Sequence, residues 1–295
     1  MSETKNTRNV SRRTVLKGTA ATTGAALIGA SFPMHFIKNA HAQTFRGDPG
    51  SSGSVKFGFN VPQSGPYADE GADELRAYQL AVKHLNGEGD GGMLNTIKPL
   101  ELKGNGVLGK KVEFVTGDTQ TKSDAARASA KRMIEKDNVA MITGGSSSGV
   151  AVAVQGLCQE MGVIFMAGLT HSNDTTGKDK KRYGFRHFFN AYMSGQAIAP
   201  ILKEEYGTDR RAYHLTADYT WGWTQEESIK AATENIGWET VNTVRTPVGA
   251  GDFSQYITPV LNSGADVLIL NHYGKDMVNS LTQAVQFGLR DKQVN

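Results

Sequence analysis

The stretch MITGGSSSGVAVAV, residues 141–154, joins an apolar run to a helical pattern through a loop of glycines and serines. The apolar run over residues 139–143 predicts a buried strand, and Val150, Val154 and Leu157 recur on one face of a predicted helix. A strand that leads directly into a helix is the repeating unit of a parallel sheet covered by helices. Ligands of such sheets bind beyond the carboxyl ends of the strands, so this loop is a candidate binding loop.

The same alternation of strand and helix extends to both sides of this stretch, in two series. The first series has predicted strands at residues 55–61, 112–115, 139–143 and 163–167. In the second, an extended segment at 183–189 precedes strands at 212–216, 240–245 and 266–270 and helices at 196–206, 224–235 and 253–262. The polar residues 171–181 between the series predict a surface loop. The sequence therefore predicts two α/β lobes, which we place at residues 55–188 and 189–295.

An export leader precedes the lobes. Residues 11–17, SRRTVLK, form a twin-arginine motif, a weakly apolar run follows, and residues 40–42, AHA, form a cleavage site. We predict a signal peptide over residues 1–42, cleavage after Ala42, export to the periplasm, and a flexible lead-in at residues 43–54. Without the six basic and one acidic residues of the leader, the net charge falls from +3 to −2. This charge does not favour nucleic acid as a partner.

Cysteine and histidine usage argues against metal or disulfide chemistry. Cys158 is the single cysteine, so the chain forms no intrachain disulfide, and its place on the apolar face of a predicted helix favours packing. No cysteines and histidines are spaced as in metal sites. We therefore expect neither a metal nor another cofactor.

Residues 145–149, GSSSG, also match G-x-S-x-G, the nucleophile elbow of serine hydrolases. A hydrolase would use Ser147 with an acid and a histidine later in the chain, for which Asp218 and His272 are available. Both of these belong to the second predicted lobe, whereas a catalytic triad needs a geometry that is fixed in advance. The alternatives are a ligand-binding loop at a helix N-terminus and a plain helix cap. We favour the binding loop.

The other predicted strand-to-helix loops carry hydroxyls and aromatic rings but few charges, which suits a small polar ligand. These loops are residues 62–71 and 168–170 in the first lobe, and 217–222 and 271–275 in the second. We expect Trp221 to point toward the cleft and Tyr219 to lie at its rim. Tyr67, His272 and Tyr273 are further candidates, and the last two lie either in the cleft or on the surface.

The ordered series of motifs resembles the periplasmic leucine/isoleucine/valine-binding protein family, the type I substrate-binding proteins of ABC importers. The motifs are SGPYADEG at 64–71, GVLGKKV at 106–112, GGSSSG at 144–149, GLT at 168–170, YTWG at 219–222 and GDFS at 251–254. The resemblance covers residues 54–295. It implies the two-lobe α/β fold of a periplasmic binding protein of type I (the Venus flytrap fold), with parallel sheets flanked by helices that close over a ligand.

The resemblance also implies the residues of a ligand site. It places the hydroxyl that binds a ligand carboxylate at Ser148 and a second hydroxyl at Thr170. The backbone of Gly168 and Leu169 would complete the cradle around the carboxylate. A ring from the second lobe falls at Trp221.

The sequence departs from the family pattern in two places. Glu70 stands where the family often has an aromatic residue, so it either pairs with a ligand amine or amide or is a solvated residue of the first helical turn. The chain is also shorter than the family's chains, so we expect a C-terminally truncated product or a sequence fragment.

The function that the resemblance implies is solute binding without enzymatic activity. The protein would capture an amino acid, or a related small amide or carboxylate, and deliver it to an ABC transporter permease in the inner membrane. The alternatives are a ligand-sensing module of the same fold and a periplasmic serine hydrolase that uses Ser147.

Overall fold

The computed structural model describes residues 53–88 and 104–290, which belong to one compact unit. The predicted signal peptide and nearly all of the predicted lead-in lie outside the described residues. Within the described ranges, no helix is both long enough and apolar enough to cross a bilayer.

Lobe 1 is built on a five-stranded parallel sheet. Its strands are β1 (Ser54–Val61), β2 (Lys111–Asp118), β3 (Met141–Gly144), β4 (Ile164–Ala167) and β5 (Gly184–Arg186), in the order β2-β1-β3-β4-β5. β1 is the pivot of this order, because Phe57 pairs with Phe114 of β2 on one side and with Met141 of β3 on the other. β2 therefore lies on one side of β1, and β3, β4 and β5 follow on the other side.

Helices cover both faces of the lobe 1 sheet. They are α1 (Ala68–Leu85), α2 (Ser123–Glu135) and α3 (Ser148–Met161). α2 and α3 bury an apolar core that includes Met133, Ile142 and Phe165. On the α1 side, the Phe59 ring stacks on Tyr78 of α1 at a centroid distance of 4.8 Å. These two cores hold the helices against the sheet, and they thereby position the strand-to-helix loops at the carboxyl ends of the strands.

Lobe 2 has a three-stranded parallel sheet in the order β7-β6-β8. Its strands are β6 (Arg211–Ala217), β7 (Glu239–Thr246) and β8 (Val267–Asn271). Its helices are α4 (Ala191–Tyr206), α5 (Thr220–Asn235), α6 (Ser254–Ile257), which continues as the 3₁₀ turn Thr258–Asn262, and α7 (Gly274–Gln286). Tyr213 and Leu215 of β6 form a buried core with Phe253 and Ile257.

Several element bounds differ from the sequence prediction for local physical reasons. α4 begins at Ala191, five residues before the predicted start, because the Asn190 side chain accepts a hydrogen bond from Met193 N at 3.0 Å and caps the helix. The predicted helix at 253–262 is a single α-helical turn followed by a 3₁₀ turn. Pro259 has no N–H to donate to the preceding turn, and its ring crowds the carbonyl group four residues earlier, which disfavours α geometry there.

The prediction of a surface loop at residues 171–181 is confirmed for residues 176–181, most of which are exposed, but is wrong for residues 171–175. Ser172 and Thr175 are fully buried, and Asn173–Thr175 forms a 3₁₀ turn. Ser172 Oγ lies 2.8 Å from Thr220 Oγ1, and Asn173 Nδ2 donates to Ser228 Oγ at 3.0 Å, both on α5 of lobe 2. The polar side chains of Ser172 and Asn173 therefore find partners inside the protein instead of in solvent.

Candidate ligand site between the lobes

The loops at the carboxyl ends of the strands in both lobes meet around a narrow cavity, which is too tight to hold a water molecule in this arrangement of the lobes. Lobe 1 contributes the loops that follow β3 and β4, and lobe 2 contributes the loops that follow β6 and β8. The lining residues are Ser146, Ser148, Leu169, His171, Tyr219, Trp221 and Tyr273. The structure thus brings together five residues that the sequence analysis selects: Ser148, Leu169, Tyr219, Trp221 and Tyr273.

The loop between β3 and α3 supplies hydroxyls at a helix N-terminus. Gly144 and Gly145 have positive φ values of 112° and 97°, which glycine adopts most easily and which turn the chain sharply into the helix. Ser148 is the first residue of α3 and is buried. Its Oγ accepts a hydrogen bond from Ser172 N at 3.2 Å. The first N–H groups of a helix have no partner within it and favour negative charge, so this end of the cavity suits an anion.

The loop after β4 places Gly168, Leu169 and Thr170 beside the serine loop. Thr170 is 1% exposed, and its Oγ1 has no hydrogen-bond partner within the described part of the chain. Arg186, the last residue of β5, donates a hydrogen bond from Nη1 to the Thr170 carbonyl at 3.1 Å and so fixes the backbone of this loop. Thr170 is therefore positioned to offer a hydroxyl that the protein itself does not use.

Aromatic rings from lobe 2 form the opposite wall. The Trp221 ring lies 5.9 Å from Tyr219 and 6.2 Å from Tyr273, measured between centroids. Trp221 Nε1 is buried without a partner among the residues that the structure describes. This wall combines a large apolar surface with one free donor, as binding pockets for small molecules commonly do.

Tyr67 belongs to the junction of the lobes and not to the cavity lining. It is 1% exposed, its hydroxyl donates to Tyr219 Oη at 3.3 Å, and its ring meets Tyr273 edge-on at 5.2 Å. Burial raises the pKa of Tyr67 to about 12 and raises the pKa of Tyr219 well above its usual value. Both phenols are therefore neutral hydrogen-bonding groups at physiological pH.

Glu70 also lies at this junction. It is half-buried, and its carboxylate occupies the space next to Gly274 at the start of α7, where an added Cβ would lie 2.4 Å from Glu70 Oε1. It does not line the cavity. Glu70 therefore packs against the start of α7 instead of contacting a ligand in the cavity, which corrects its inclusion among the ligand contacts.

His272 does not point into the cavity, and its inclusion among the ligand contacts needs correction. The residue is 4% exposed, and its ring nitrogens lie 2.9 Å from Thr246 Oγ1 and 2.8 Å from Ser280 Oγ. Both nitrogens are thus engaged inside lobe 2, and the ring packs at 5.1 Å from Phe253. His272 has no free polar atom to offer to a ligand.

His171 lines the cavity, although the sequence analysis does not select it as a ligand contact. Its ring is stacked on Phe188 and Phe189, with centroid distances of 4.8 and 4.3 Å. Nε2 is buried and unpaired in the described structure. Burial, reinforced by the charge of Arg186, lowers the pKa of His171 to about 4, so the ring is neutral. Its position directly after Thr170 in a candidate loop is the signal that could have identified it.

Glu74 is the second residue that the sequence analysis misses. It lies on α1, is 5% exposed, and accepts hydrogen bonds from Gly145 N at 3.1 Å, Tyr78 Oη at 2.7 Å and the backbone of Leu169. Burial raises the pKa of Glu74 to about 6. Glu74 precedes Tyr78 by one helical turn on the buried side of α1. This spacing is the only local sequence signal for a contact between the two side chains.

The geometry does not support a hydrolase that uses Ser147. Ser147 is the N-cap residue of α3, and its side chain makes no capping hydrogen bond. Asp218 accepts from Trp223 Nε1 at 2.9 Å, and His272 is engaged by Thr246 and Ser280 as described above. Across residues 53–88 and 104–290, no hydrogen bond links these three residues into a triad. That same part of the chain also contains no cluster of side chains suited to holding a metal ion.

Comparison with known proteins identifies the class of protein that this fold and site define. Residues 54–295 match the model of a family described as periplasmic binding protein, and the chain belongs to this family. Residues 9–29 match the signal sequence of the twin-arginine translocation pathway. The two matches together assign the protein to the periplasm, and the two-lobe type I fold predicted from the sequence is confirmed.

Particular relatives are binding proteins and not enzymes. The chain is 26% identical over 267 residues to Leu/Ile/Val-binding protein homolog 7 of Brucella suis biovar 1 (strain 1330). The aligned region covers 88% of this chain and 62% of the relative. It is 25% identical to the solved structure of a periplasmic binding protein from Burkholderia mallei, with a TM-score of 0.69 and coverage of 82% and 60%. A solute-binding protein of an ABC transporter from Rhodopseudomonas palustris HaA2, solved in complex with p-hydroxybenzoic acid, matches at 25% identity, a TM-score of 0.67 and the same coverage. The chain thus spans about three fifths of the length of these relatives.

Proposed function

We propose that the protein is the solute-binding component of an ABC importer and captures a small carboxylate, such as an amino acid or a related acid or amide, between its lobes. The observation that carries this proposal is a set of buried polar atoms on both sides of one cavity. His171 Nε2 on the lobe 1 side and Trp221 Nε1 on the lobe 2 side have no partner in the described residues. Thr170 Oγ1, next to His171 in the chain, is also buried without a partner there, although Thr170 is not among the lining residues. Buried polar groups are nearly always hydrogen-bonded in proteins, so these atoms are suited to a ligand.

A carboxylate fits the lobe 1 side of the cavity. The N-terminus of α3 and the hydroxyl of Ser148 offer donors, and Leu169 lines the same space. The unpaired hydroxyl of Thr170 belongs to the same loop as Leu169. Donors at a helix N-terminus bind anions in many proteins, because the helix dipole adds to the hydrogen bonds. We therefore assign the carboxylate end of the ligand to this side.

The body of the ligand would lie against Tyr219, Trp221 and Tyr273 of lobe 2. A ligand held in this way contacts both lobes, so it binds the closed arrangement more strongly than an open one and shifts the population toward closure. Closure would present the docking surface for an inner-membrane permease. An aliphatic amino acid and an aromatic acid both match this description, and the named relatives include one of each type.

Thermal unfolding of the exported protein tests this proposal with two probes, L-leucine and 4-hydroxybenzoate. A ligand at about 100 times its dissociation constant stabilises the folded state by about 2.7 kcal/mol, which corresponds to a rise in Tm of roughly 5–10 °C for a chain of this size. L-Leucinol and 4-hydroxybenzyl alcohol, which lack the carboxylate, are the matched controls. A rise with either acid but not with its alcohol supports the proposal, and equal shifts with acid and alcohol contradict it.

A further inference from the structure

Glu74 is a buried carboxylate that contacts the two lobe 1 loops of the proposed ligand site, although it does not itself line the cavity. It sits on α1, whereas the groups that donate to it lie in the loop after β3, in the loop after β4, and one turn later on α1 itself. Gly145 N donates to Oε2 at 3.1 Å, the backbone of Leu169 donates to the same carboxylate, and Tyr78 Oη donates to Oε1 at 2.7 Å. One side chain thus connects three separate segments of lobe 1.

We propose that Glu74 is a positioning residue of the ligand site, which holds the two binding loops together and takes up a proton when a carboxylate ligand binds beside them. This inference rests on the proposed function. Glu74 acts through the backbone of Gly145 and Leu169, so it would contact the ligand only indirectly. Hydrogen bonds from N–H groups to an ionised carboxylate are stronger than those to a neutral acceptor, so the charge of Glu74 contributes to holding the loops.

The close packing around Glu74 shows that the loops are fitted to this side chain. A Cβ atom added to Gly168 would lie 2.0 Å from Glu74 Oε1 and 2.8 Å from Tyr78 Oη. Residue 168 must therefore be glycine for the loop after β4 to approach the carboxylate. The next residue in this loop, Leu169, lines the cavity.

A ligand carboxylate in this cavity and the carboxylate of Glu74 would face the same short stretch of backbone from opposite sides. Two negative charges so close together, away from solvent, disfavour each other's ionisation. Burial already raises the pKa of Glu74 to about 6, so the group is poised to accept a proton near neutral pH. Protonation of Glu74 would remove the repulsion while its oxygen atoms remain available to the backbone N–H groups.

Two phenols face Glu74, and neither titrates near neutral pH. Tyr78 on α1 and Tyr273 on the loop before α7 are the titratable side chains that face it, and burial raises the pKa of both phenols above their usual value. Glu70 lies one turn earlier on α1 and acts on the same Tyr273 phenol. From β3, Thr143 contributes only a hydroxyl, 3.3 Å from Tyr78 Oη. His171, which lines the cavity with an unpaired Nε2, is a second group whose pKa a bound anion would raise from about 4. Proton uptake that is lost in Glu74→Gln therefore reports on Glu74.

Ligand binding and protonation of Glu74 are thermodynamically linked, so the ligand affinity must depend on pH. A bound anion raises the pKa of Glu74 further, so the complex holds more protons than the free protein near pH 6–7. The affinity for a carboxylate must then rise as pH falls through this range. The probe remains ionised at pH 5.5, because carboxylic acids ordinarily titrate near pH 4.

Isothermal titration calorimetry with 4-hydroxybenzoate and with L-leucine, between pH 5.5 and 8, tests the proposal on the wild-type protein, Glu74→Gln and Asp73→Asn. Asp73 is exposed on the same helix, so Asp73→Asn removes an equal charge without touching the loops. The wild type and Asp73→Asn should bind the probe about three- to tenfold more tightly at pH 5.5 than at pH 8, with proton uptake revealed by buffers of different ionisation enthalpy. Glu74→Gln should show neither the slope nor the uptake. A pH-independent wild type, or a Glu74→Gln variant that keeps the slope, would overturn the proposal.

A second measurement needs no ligand. In the wild type, the amide NMR signals of Gly145 and Leu169 should shift together with a midpoint near pH 6, and in Glu74→Gln they should not. Signals that do not move in the wild type, or that move equally in the variant, would refute the positioning role. If neither probe binds, that result counts against the proposed function, while the amide titration still decides whether Glu74 holds the loops.

Discussion

Tyr67 of lobe 1 donates a hydrogen bond to the hydroxyl of Tyr219 of lobe 2, with 3.3 Å between the two oxygens. The Tyr67 ring also meets Tyr273 edge-on at 5.2 Å, so two aromatic residues of lobe 2 rest on one buried residue of lobe 1. Tyr219 and Tyr273 both line the cavity. The same rings that would enclose a ligand therefore also form the contact between the lobes.

Replacing Tyr67 with phenylalanine should weaken closure without disturbing either lobe. The variant keeps the ring contact with Tyr273 but loses the hydroxyl that reaches Tyr219, and one such hydrogen bond contributes about 1 kcal/mol. We expect the dissociation rate of a bound carboxylate to rise about fivefold, as measured by stopped-flow fluorescence of the cavity tryptophan. Tyr192→Phe is the matched control, because Tyr192 is 58% exposed on α4. An equal rise in both variants would contradict a role for Tyr67 in closure.

The two neighbouring serines at the start of α3 should respond differently to substitution. Ser148 lines the cavity, whereas Ser147 does not. Ser148→Ala should lower the affinity for the carboxylate probe by about 10- to 150-fold, because a hydrogen bond to a charged group contributes roughly 1.5–3 kcal/mol. Ser147→Ala should change the affinity less than twofold in the same calorimetric titration. An equal loss of affinity in both variants would contradict the assignment of Ser148 to the ligand.

Gly168 should tolerate no side chain, because the space beside it is filled by Glu74 and Tyr78. The Cβ of an alanine would lie 2.0 Å from Glu74 Oε1 and 3.0 Å from Gly144 Cα, so the loop after β4 must move. Forcing extra atoms into a packed site costs about 1–3 kcal/mol, and the Tm of Gly168→Ala should fall by several degrees. Gly156→Ala on α3 is the control, since its nearest neighbour is Arg127 Nη1 at 3.9 Å and alanine favours a helix. Its Tm should stay unchanged or rise.

The alternation of strands and helices could be predicted from the sequence, because each strand-to-helix unit carries its own hydrophobic period. The predicted strand at 139–143 and the apolar face of the following helix correspond to β3 and α3, and Ser148 lies at their junction as expected. The burial of residues 172–175 could not be predicted, because Ser172 and Asn173 make their contacts with α5, which is distant in sequence.

The role of Glu74 escapes sequence analysis for a related reason. Charged residues are seldom buried, and a glutamate beside an apolar helical stripe is expected on the surface. Its partner Gly145 lies 71 residues later in the chain, so the contact exists only after folding. His272 illustrates the opposite error: it follows a strand in a candidate loop, but its ring turns inward to Thr246 and Ser280, and no local pattern reports that direction.

His272 should make the protein less stable as pH falls below about 6.5. Burial lowers the pKa of His272 to about 4 in the folded protein, from an unfolded value near 6.5, so the unfolded chain binds the proton more readily. The stabilisation is complete above pH 6.5 and is lost progressively as pH falls toward 4. Urea unfolding at pH values from 8 to 5 should show that His272→Gln, although less stable at pH 8, loses less free energy of unfolding on acidification than the wild type, by up to about 1.4 kcal/mol per pH unit. An identical pH dependence in both proteins would show that His272 does not remain neutral in the folded state.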